Sequence, residues 1–311
     1  MTRFAVVVTN YNYRAFVEEA VDSALAQTRP AAQVIVVDDG STDGSPELLR
    51  TRYAGDPRVT LLIGENGGQL AAFQRGVAAV DADVVCFLDA DDRWAPDYLE
   101  KIGQLYDARR DVDCVFTDVQ LFGEETRRLA YADRAFDLGY TAISTYRLGH
   151  WYGAPTSALS LRTGMARRCL DLPDCLLPVW RISADNCLVF GASIFGGRKY
   201  FLPTGAMHYR IHGNNGWWSK RTPDSDYLGR LRSRGLIAFY ARRAGLDELC
   251  LNLTKREFLT KPEPTWREAK RYARIALRGD TGWLRNASRA FSILRRAWLR
   301  RGIPVETSGK T

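Results

Sequence analysis

The sequence predicts an α/β protein: a mostly parallel sheet flanked by helices, followed by a helical C-terminal extension. Three observations carry this prediction. Short apolar runs at residues 4–9, 34–37, 59–63 and 84–88 are rich in Val, Ile and Leu, as strands buried on both faces are. The segments between them repeat apolar residues at helical spacing. Four such alternations within about ninety residues call for parallel strands joined by crossover helices.

The first strand, residues 4–9, opens into the loop Asn10-Tyr11-Asn12-Tyr13. Phe16, Val17, Ala20, Val21, Ala24 and Leu25 then mark one face of a helix, which Pro30 closes. The second strand, 34–37, runs into Asp38-Asp39-Gly40-Ser41-Thr42-Asp43, and Pro46 suits the first turn of the helix beyond. The third strand, 59–63, leads through Gly64-Glu65-Asn66-Gly67-Gly68 into a helix over 70–80. The fourth, 84–88, ends in Asp89-Ala90-Asp91-Asp92. Further on, 113–117, 156–161 and 199–202 read as strands and 182–195 as a helix. Polar residues thus gather just after the strands. Open α/β sheets bind ligands at those carboxyl ends, so the acidic loops are expected to share one crevice.

The chain has 311 residues, of which 46% are hydrophobic and 26% charged. That excludes a disordered chain, a collagen-like repeat and a polytopic membrane protein. The apolar run after Arg3 is too short for a signal-peptide core, so a cytoplasmic location is expected. Charge divides the chain. Residues 221–311 carry 21 Lys and Arg against 9 Asp and Glu, a net +12, whereas residues 1–220 carry 23 against 27, a net −4. This suggests a two-part layout, a nearly neutral body over 1–220, with halves at about 1–112 and 113–220, and a basic helical part over 221–311. The six cysteines form no C-x-x-C pair and read as buried free thiols.

Two constellations carry chemistry. Packed carboxylates such as Asp89, Asp91 and Asp92 repel one another, and a hard cation such as Mg²⁺ or Mn²⁺ relieves that repulsion while leaving positions for substrate phosphates. The alternative is an acidic turn capping the next helix. In the second loop, Asp39 is placed to accept hydrogen bonds from a base or ribose, and Asp43 to cap a helix.

The motifs Val6-Val7-Val8-Thr9-Asn10-Tyr11-Asn12, Val36-Val37-Asp38-Asp39-Gly40-Ser41-Thr42-Asp43, Glu65-Asn66-Gly67-Gly68 and Phe87-Leu88-Asp89-Ala90-Asp91-Asp92 resemble those of family 2 glycosyltransferases. These are inverting enzymes of the GT-A fold that use nucleotide-diphospho-sugars. The resemblance is detailed over 4–100 and thinner over 150–215. It implies that Thr9 and Tyr11 flank the nucleobase and that Asp39 bonds its edge. It places Asn66 and Gly68 on the nucleotide pocket and Gln74 near the sugar or ribose. Asp91 then reaches the ribose or the metal, and Asp92 ligates the metal, with Asp89 extending the acidic run. Ile182-Ser183-Ala184-Asp185 resembles the family's Glu-Asp motif with Ala184 in the Glu position, leaving Asp185 as the catalytic base. Tyr209-Arg210-Ile211-His212 resembles a Y-R-x-H segment. It makes His212 a metal or diphosphate ligand and Arg210 a stabiliser of the leaving diphosphate. Trp217 and Trp218 are candidates for stacking on sugar rings or for hinge packing.

The function so implied is inverting, Mn²⁺- or Mg²⁺-dependent transfer of a hexosyl or N-acetylhexosaminyl group. It would run from a nucleotide-sugar, UDP-sugar first, to a hydroxyl of a glycan or lipid-linked acceptor. Polysaccharide, glycolipid or cell-envelope glycan synthesis is the expected setting. The departure at Ala184 leaves open a catalytically silent relative that binds nucleotide-sugar or an assembly partner. A sugar nucleotidyltransferase is disfavoured, because Thr9-Asn10-Tyr11-Asn12 is not a Gly-rich loop. The basic end has three readings. It packs on the body, it lies on an anionic membrane at the inner face of the plasma membrane, or it forms a homo-oligomer through the stripe Leu284, Ala287, Phe291, Leu294 and Trp298. Nucleic acid is not expected, since no binding module accompanies the charge.

Overall fold

The computed structural model describes residues 1–213 and 222–299. Its first part alternates as expected: β1 (Phe4–Asn10), α1 (Val17–Leu25), β2 (Gln33–Asp38), α2 (Ser45–Tyr53), β3 (Val59–Ile63), α3 (Gln69–Ala78) and β4 (Val84–Asp89). There follow β5 (Arg93–Trp94), α4 (Tyr98–Ala108), β6 (Cys114–Thr117), β7 (Val119–Gly123), β8 (Arg128–Leu129), β9 (Phe136–Gly139) and α5 (Ala142–Leu148). Next come β10 (Leu159–Arg162), α6 (Thr163–Leu170), α7 (Asp185–Ile194), β11 (Lys199–Leu202) and β12 (Met207–Ile211). The chain closes with α8 (Pro223–Arg243), α9 (Thr254–Leu259), α10 (Trp266–Ala276) and α11 (Trp283–Leu299).

An eight-stranded sheet runs β3-β2-β1-β4-β10-β6-β11-β9. Its first four strands are parallel, because α1, α2 and α3 each return the chain to the same end. β10 runs antiparallel to β4 and β6, so the second half is mixed. A smaller sheet, β5-β12-β7-β8, stands beside it. β1 is nearly all buried because helices cover both faces, which its Val-rich sequence requires. Gly76 lets α3 approach closely: a Cβ there would lie 2.5 Å from Val7 Cγ1 and 3.2 Å from Val37 Cγ2.

Three local expectations shift. Residues 156–161 begin as a 3₁₀ turn at Thr156–Ala158, and only then does β10 start. The expected helix over 182–195 starts at Asp185, because Ser183 takes a left-handed φ of +60° that no α-helix accommodates. Of the stripe on α11, Leu294 packs against the second core and Ala287 is half-buried, while Leu284, Phe291 and Trp298 are exposed. Asn286, Ala290, Ile293 and Ala297 are buried instead. Five cysteines are buried and Cys175 is exposed, all as free thiols.

Packing does not break at residue 220. Leu236, Ile237, Tyr240 and Ala241 of α8 belong to the main core, and the Tyr240 hydroxyl donates to the carbonyls of Cys169 (2.7 Å) and Cys187 (3.1 Å). α9, α10 and α11 share a second core around Phe258, Tyr272 and Ile293. Glu257 of α9 fastens that layer to the body, accepting from the Ile143 and Ser144 amides at the start of α5 (2.7 and 3.2 Å) and from the Tyr272 hydroxyl (2.7 Å). A carboxylate there satisfies otherwise orphaned helix N–H groups and meets the positive end of the helix. Among the described residues no helix is long and apolar enough to cross a membrane.

Gly76→Ala is expected to destabilise the protein by about 1–3 kcal/mol, since the added methyl has no room between Val7 and Val37. Urea unfolding of both proteins checks this, and an unchanged midpoint would contradict it.

Candidate active site

Register sets the site. Asn10 faces Asp38 across β1 and β2, and Thr9 faces Asp89 across β1 and β4. Three strand ends therefore deliver polar side chains to one place. A cavity of about 780 Å³ opens there, and polar side chains of Thr9, Asn10, Tyr11, Asp39 and Asn66 line it with Gly68. Asp89, Asp91 and Asp185 line it too, as do Phe116, Leu121, Leu129, Tyr131, Trp151 and Tyr209.

Asp38 is structural. It is buried, accepts from Asn10 Nδ2 (2.6 Å) and the Ser41 amide (2.9 Å), and so shapes the loop. Asp39 faces the cavity. Its carboxylate accepts from the Gly67 and Gly68 amides (3.0 and 2.7 Å) and pairs with Arg75. An ionised carboxylate has about four acceptor sites, so capacity for a ligand N–H remains. Gly68 sits at φ +87°, and a Cβ there would come within 2.8 Å of the Arg181 Cα, so the loop closes on the 180–181 segment only with glycine. Asn66 Oδ1 accepts from Arg181. Asp43 accepts from the Ser45 and Arg14 amides, one residue ahead of the α2 N-cap Gly44.

The acidic run divides its labour. Asp92 is 1% exposed and lies outside the cavity lining. Its oxygens accept from the Arg210 amide (2.9 Å) and Ser157 Oγ (2.6 Å), so it holds β12 and the 156–158 turn rather than facing a ligand. Asp91 takes the outward position, with Oδ2 3.0 Å from His212 Nε2. That imidazole packs against the rings of Tyr13 and Phe16. A carboxylate and an imidazole with further positions left for phosphate oxygens and water is a donor set that fits Mn²⁺ or Mg²⁺. Among the described residues no group of three or more His, Cys, Asp or Glu side chains is arranged to hold a metal. Arg210 turns away from the cavity. Its guanidinium pairs with Glu19, lies over Phe16 (4.6 Å) and Phe122 (4.4 Å), and donates from Nε to the Asp91 carbonyl (2.8 Å). Arg210 is thus bonded to both Asp91 and Asp92, and Arg181 is the basic residue on the cavity wall among the described residues.

Gln74 is also placed differently. Its amide donates to the Leu170 and Leu172 carbonyls (2.9 and 3.1 Å), behind the site. Gln69, which the sequence did not single out, does the work near the cavity. Its Nε2 donates to Asp89 Oδ1 (3.2 Å) and Thr156 Oγ1 (3.4 Å), and its Oε1 accepts from the Ala184 amide (2.8 Å). Ala184 is buried, and Asp185 is the first residue of α7, its Oδ1 accepting from the Asn186 amide (2.9 Å). Trp217 and Trp218 lie outside the described residues.

Four carboxylates thus share a poorly hydrated space. Burial, then the charges of Asp91 and Asp185, push Asp89 up to about 7, against donation from Thr9. Burial followed by Asp91 and Asp89 holds Asp92 well above the usual carboxylate range. Burial lifts Asp185 to about 6, against the Asn186 amide. Tyr13 and Tyr209 are raised as well, by burial and then by these charges.

A parallel sheet whose strand ends gather an acidic, nucleotide-sized cavity is the arrangement of GT-A transferases. The glycosyl transferase family 2 model matches residues 5–167, and the chain belongs to that family. It is a glycosyltransferase of the GT-A fold. An uncharacterized glycosyltransferase of Nostoc sp. PCC 7120, alr2836, is 31% identical over 231 residues, covering 72% of this chain and 69% of that protein. The chondroitin synthase of Pasteurella multocida is 31% identical over 113 residues, which are 36% of this chain and 12% of that protein. The crystal structure of S. aureus TarS 1-349 in complex with UDP-GlcNAc superimposes with a TM-score of 0.57 at 14% identity, covering 95% of this chain and 90% of that one.

Asp185 adds a stability signature. Its folded value of about 6 exceeds the ordinary 3.8, so stability present at low pH is lost as pH rises from about 4 to above 6. Asp185→Asn removes that loss. Its melting temperature is expected to match wild type near pH 4 and to exceed it by a few degrees at pH 8. Thermal melts across that range read the difference, and a gap independent of pH would contradict the buried-acid account.

Proposed function

We propose that this glycosyltransferase moves a sugar from a nucleotide-diphospho-sugar, UDP-sugar first, to an acceptor hydroxyl with inversion at the anomeric carbon. One observation carries the reading: Asp39, Asp91 and Asp185 line a single cavity together with Thr9, Tyr11 and Asn66 and with apolar side chains such as Phe116 and Trp151. Asp39, fixed by the Gly67 and Gly68 amides, accepts from the base edge. Thr9, Tyr11, Asn66 and Gly68 border the nucleotide. The likeness of fold to a transferase crystallised with UDP-GlcNAc supports this choice of donor.

Asp91 and His212 would hold a divalent cation, Mn²⁺ or Mg²⁺. When bound, the ion offsets negative charge on the departing diphosphate. Asp185 is the general base. As the acceptor oxygen forms its bond to C1, the bond from C1 to the diphosphate oxygen breaks, and Asp185 takes the hydroxyl proton. Its value of about 6 leaves it ionised at neutral pH yet basic enough to accept. Gln69 ties the Ala184 amide to Asp89 and so keeps the base in register with the donor loops. The aromatic and aliphatic wall at Phe116, Tyr131 and Trp151 suits the apolar face of a sugar ring or a lipid-linked acceptor.

Asp185→Asn is expected to lower kcat about 10²–10⁴-fold while leaving nucleotide binding nearly unchanged. Donor hydrolysis and transfer over a panel of nucleotide-sugars, with Mn²⁺ and with chelator, measure both claims. Turnover unaffected by the substitution removes the base, and equal rates in chelator remove the metal. Binding without any turnover would instead favour a silent relative, the reading that Ala184 motivates.

A further inference from the structure

Much of the apolar stripe of α11 stays outside the core. Its inner face is narrow: Asn286, Ala290, Ile293 and Ala297 pack towards α9 and α10. The adjoining face shows Trp283, Leu284, Phe291 and Trp298, which are 76, 65, 68 and 64% exposed. Leu277, at the turn that leads into α11, is 55% exposed as well. An apolar ridge of this size on a water-facing helix marks a contact surface.

Charge identifies the occupant. α11 contains no Asp or Glu, and its charged residues are Arg285, Arg289, Arg295 and Arg296. Residues 266–299 carry nine Lys and Arg against Glu268 and Asp280. Glu268 is buried, and Asp280 accepts from Asn252. Arg274, Arg278, Arg285 and Arg295 are exposed. A second copy of this chain would bring like charge against like. An anionic bilayer complements both features, phosphate headgroups meeting the arginines and the upper acyl region taking the ridge. Tryptophans near each end of the helix suit the boundary between headgroup and hydrocarbon.

We propose that α11 lies in the plane of an anionic membrane surface, with Trp283, Leu284, Phe291 and Trp298 sunk to headgroup depth and the flanking arginines on lipid phosphates. The contact is peripheral, it is separate from the sugar-transfer cavity, and it holds whichever donor or acceptor the enzyme uses.

Flotation of the full chain with vesicles tests it, one set containing phosphatidylglycerol and one of phosphatidylcholine alone. The expected result is at least about tenfold more protein on the anionic vesicles, with release at high salt. Phe291→Glu combined with Trp298→Glu is expected to lower the bound fraction about tenfold with an unchanged thermal melt, since both side chains are exposed. Arg285→Glu with Arg295→Glu, which leaves the ridge intact, is expected to do the same and stands in should the first variant melt early. Equal binding to both vesicle types, or retention by the arginine variant, overturns the proposal. So does a dimer seen by light scattering that Phe291→Glu dissolves, because the ridge would then belong to a second copy.

Discussion

The crowding of Asp89, Asp91, Asp92 and Asp185 governs the architecture of the site. Unscreened carboxylates this close in a buried space repel, and the chain answers each one separately. Asp92 is tied down by Ser157 and the Arg210 amide. Asp89 receives Thr9 and Gln69. Asp185 rests on the first turn of α7, where backbone N–H groups and the helix dipole favour an anion. Asp91 is met by His212. What is left over is an acidic cavity of about 780 Å³ at the strand ends.

The fold delivers that crowding through register. β1 lies between β2 and β4, and its last residues pair with the acidic ends of both neighbours. No loop flexibility is needed to bring Asp38, Asp39 and Asp89 together. Among the described residues two non-glycine residues hold a left-handed φ, Asn12 in the loop after β1 and Ser183 two residues before Asp185. The rest of the molecule braces this centre. Arg210 and Glu19 pair behind the acidic turn, and Glu257 locks the outer helices onto α5.

Strands and acidic loops were legible in the sequence because both signals are local. A Val-rich run identifies a buried strand, and a carboxylate just beyond it falls at the sheet's functional edge. Choosing between Asp91 and Asp92 needed more, since consecutive residues of a turn point different ways and only tertiary contacts decide which one faces in. Gln74 illustrates the limit of matching positions. It lies five residues past Gln69, roughly 140° round the helix, so the two amides look to opposite sides. Gln69 itself carried no signal, because its partner Ala184 is 115 residues distant. The stripe on α11 was visible as a pattern, but periodicity says only that a face is apolar, not that anything inside the protein covers it.

The Gln69 amide has a consequence for how such an enzyme changes over time. Its nitrogen donates to Asp89 at the end of β4 and its oxygen accepts from the Ala184 amide just ahead of α7, so one side chain couples two segments far apart in the chain. Substitutions among the aromatic side chains of the cavity leave that tie untouched. A shift of the Ala184–Asp185 segment pulls through Gln69 on Asp89, so the two can change only together.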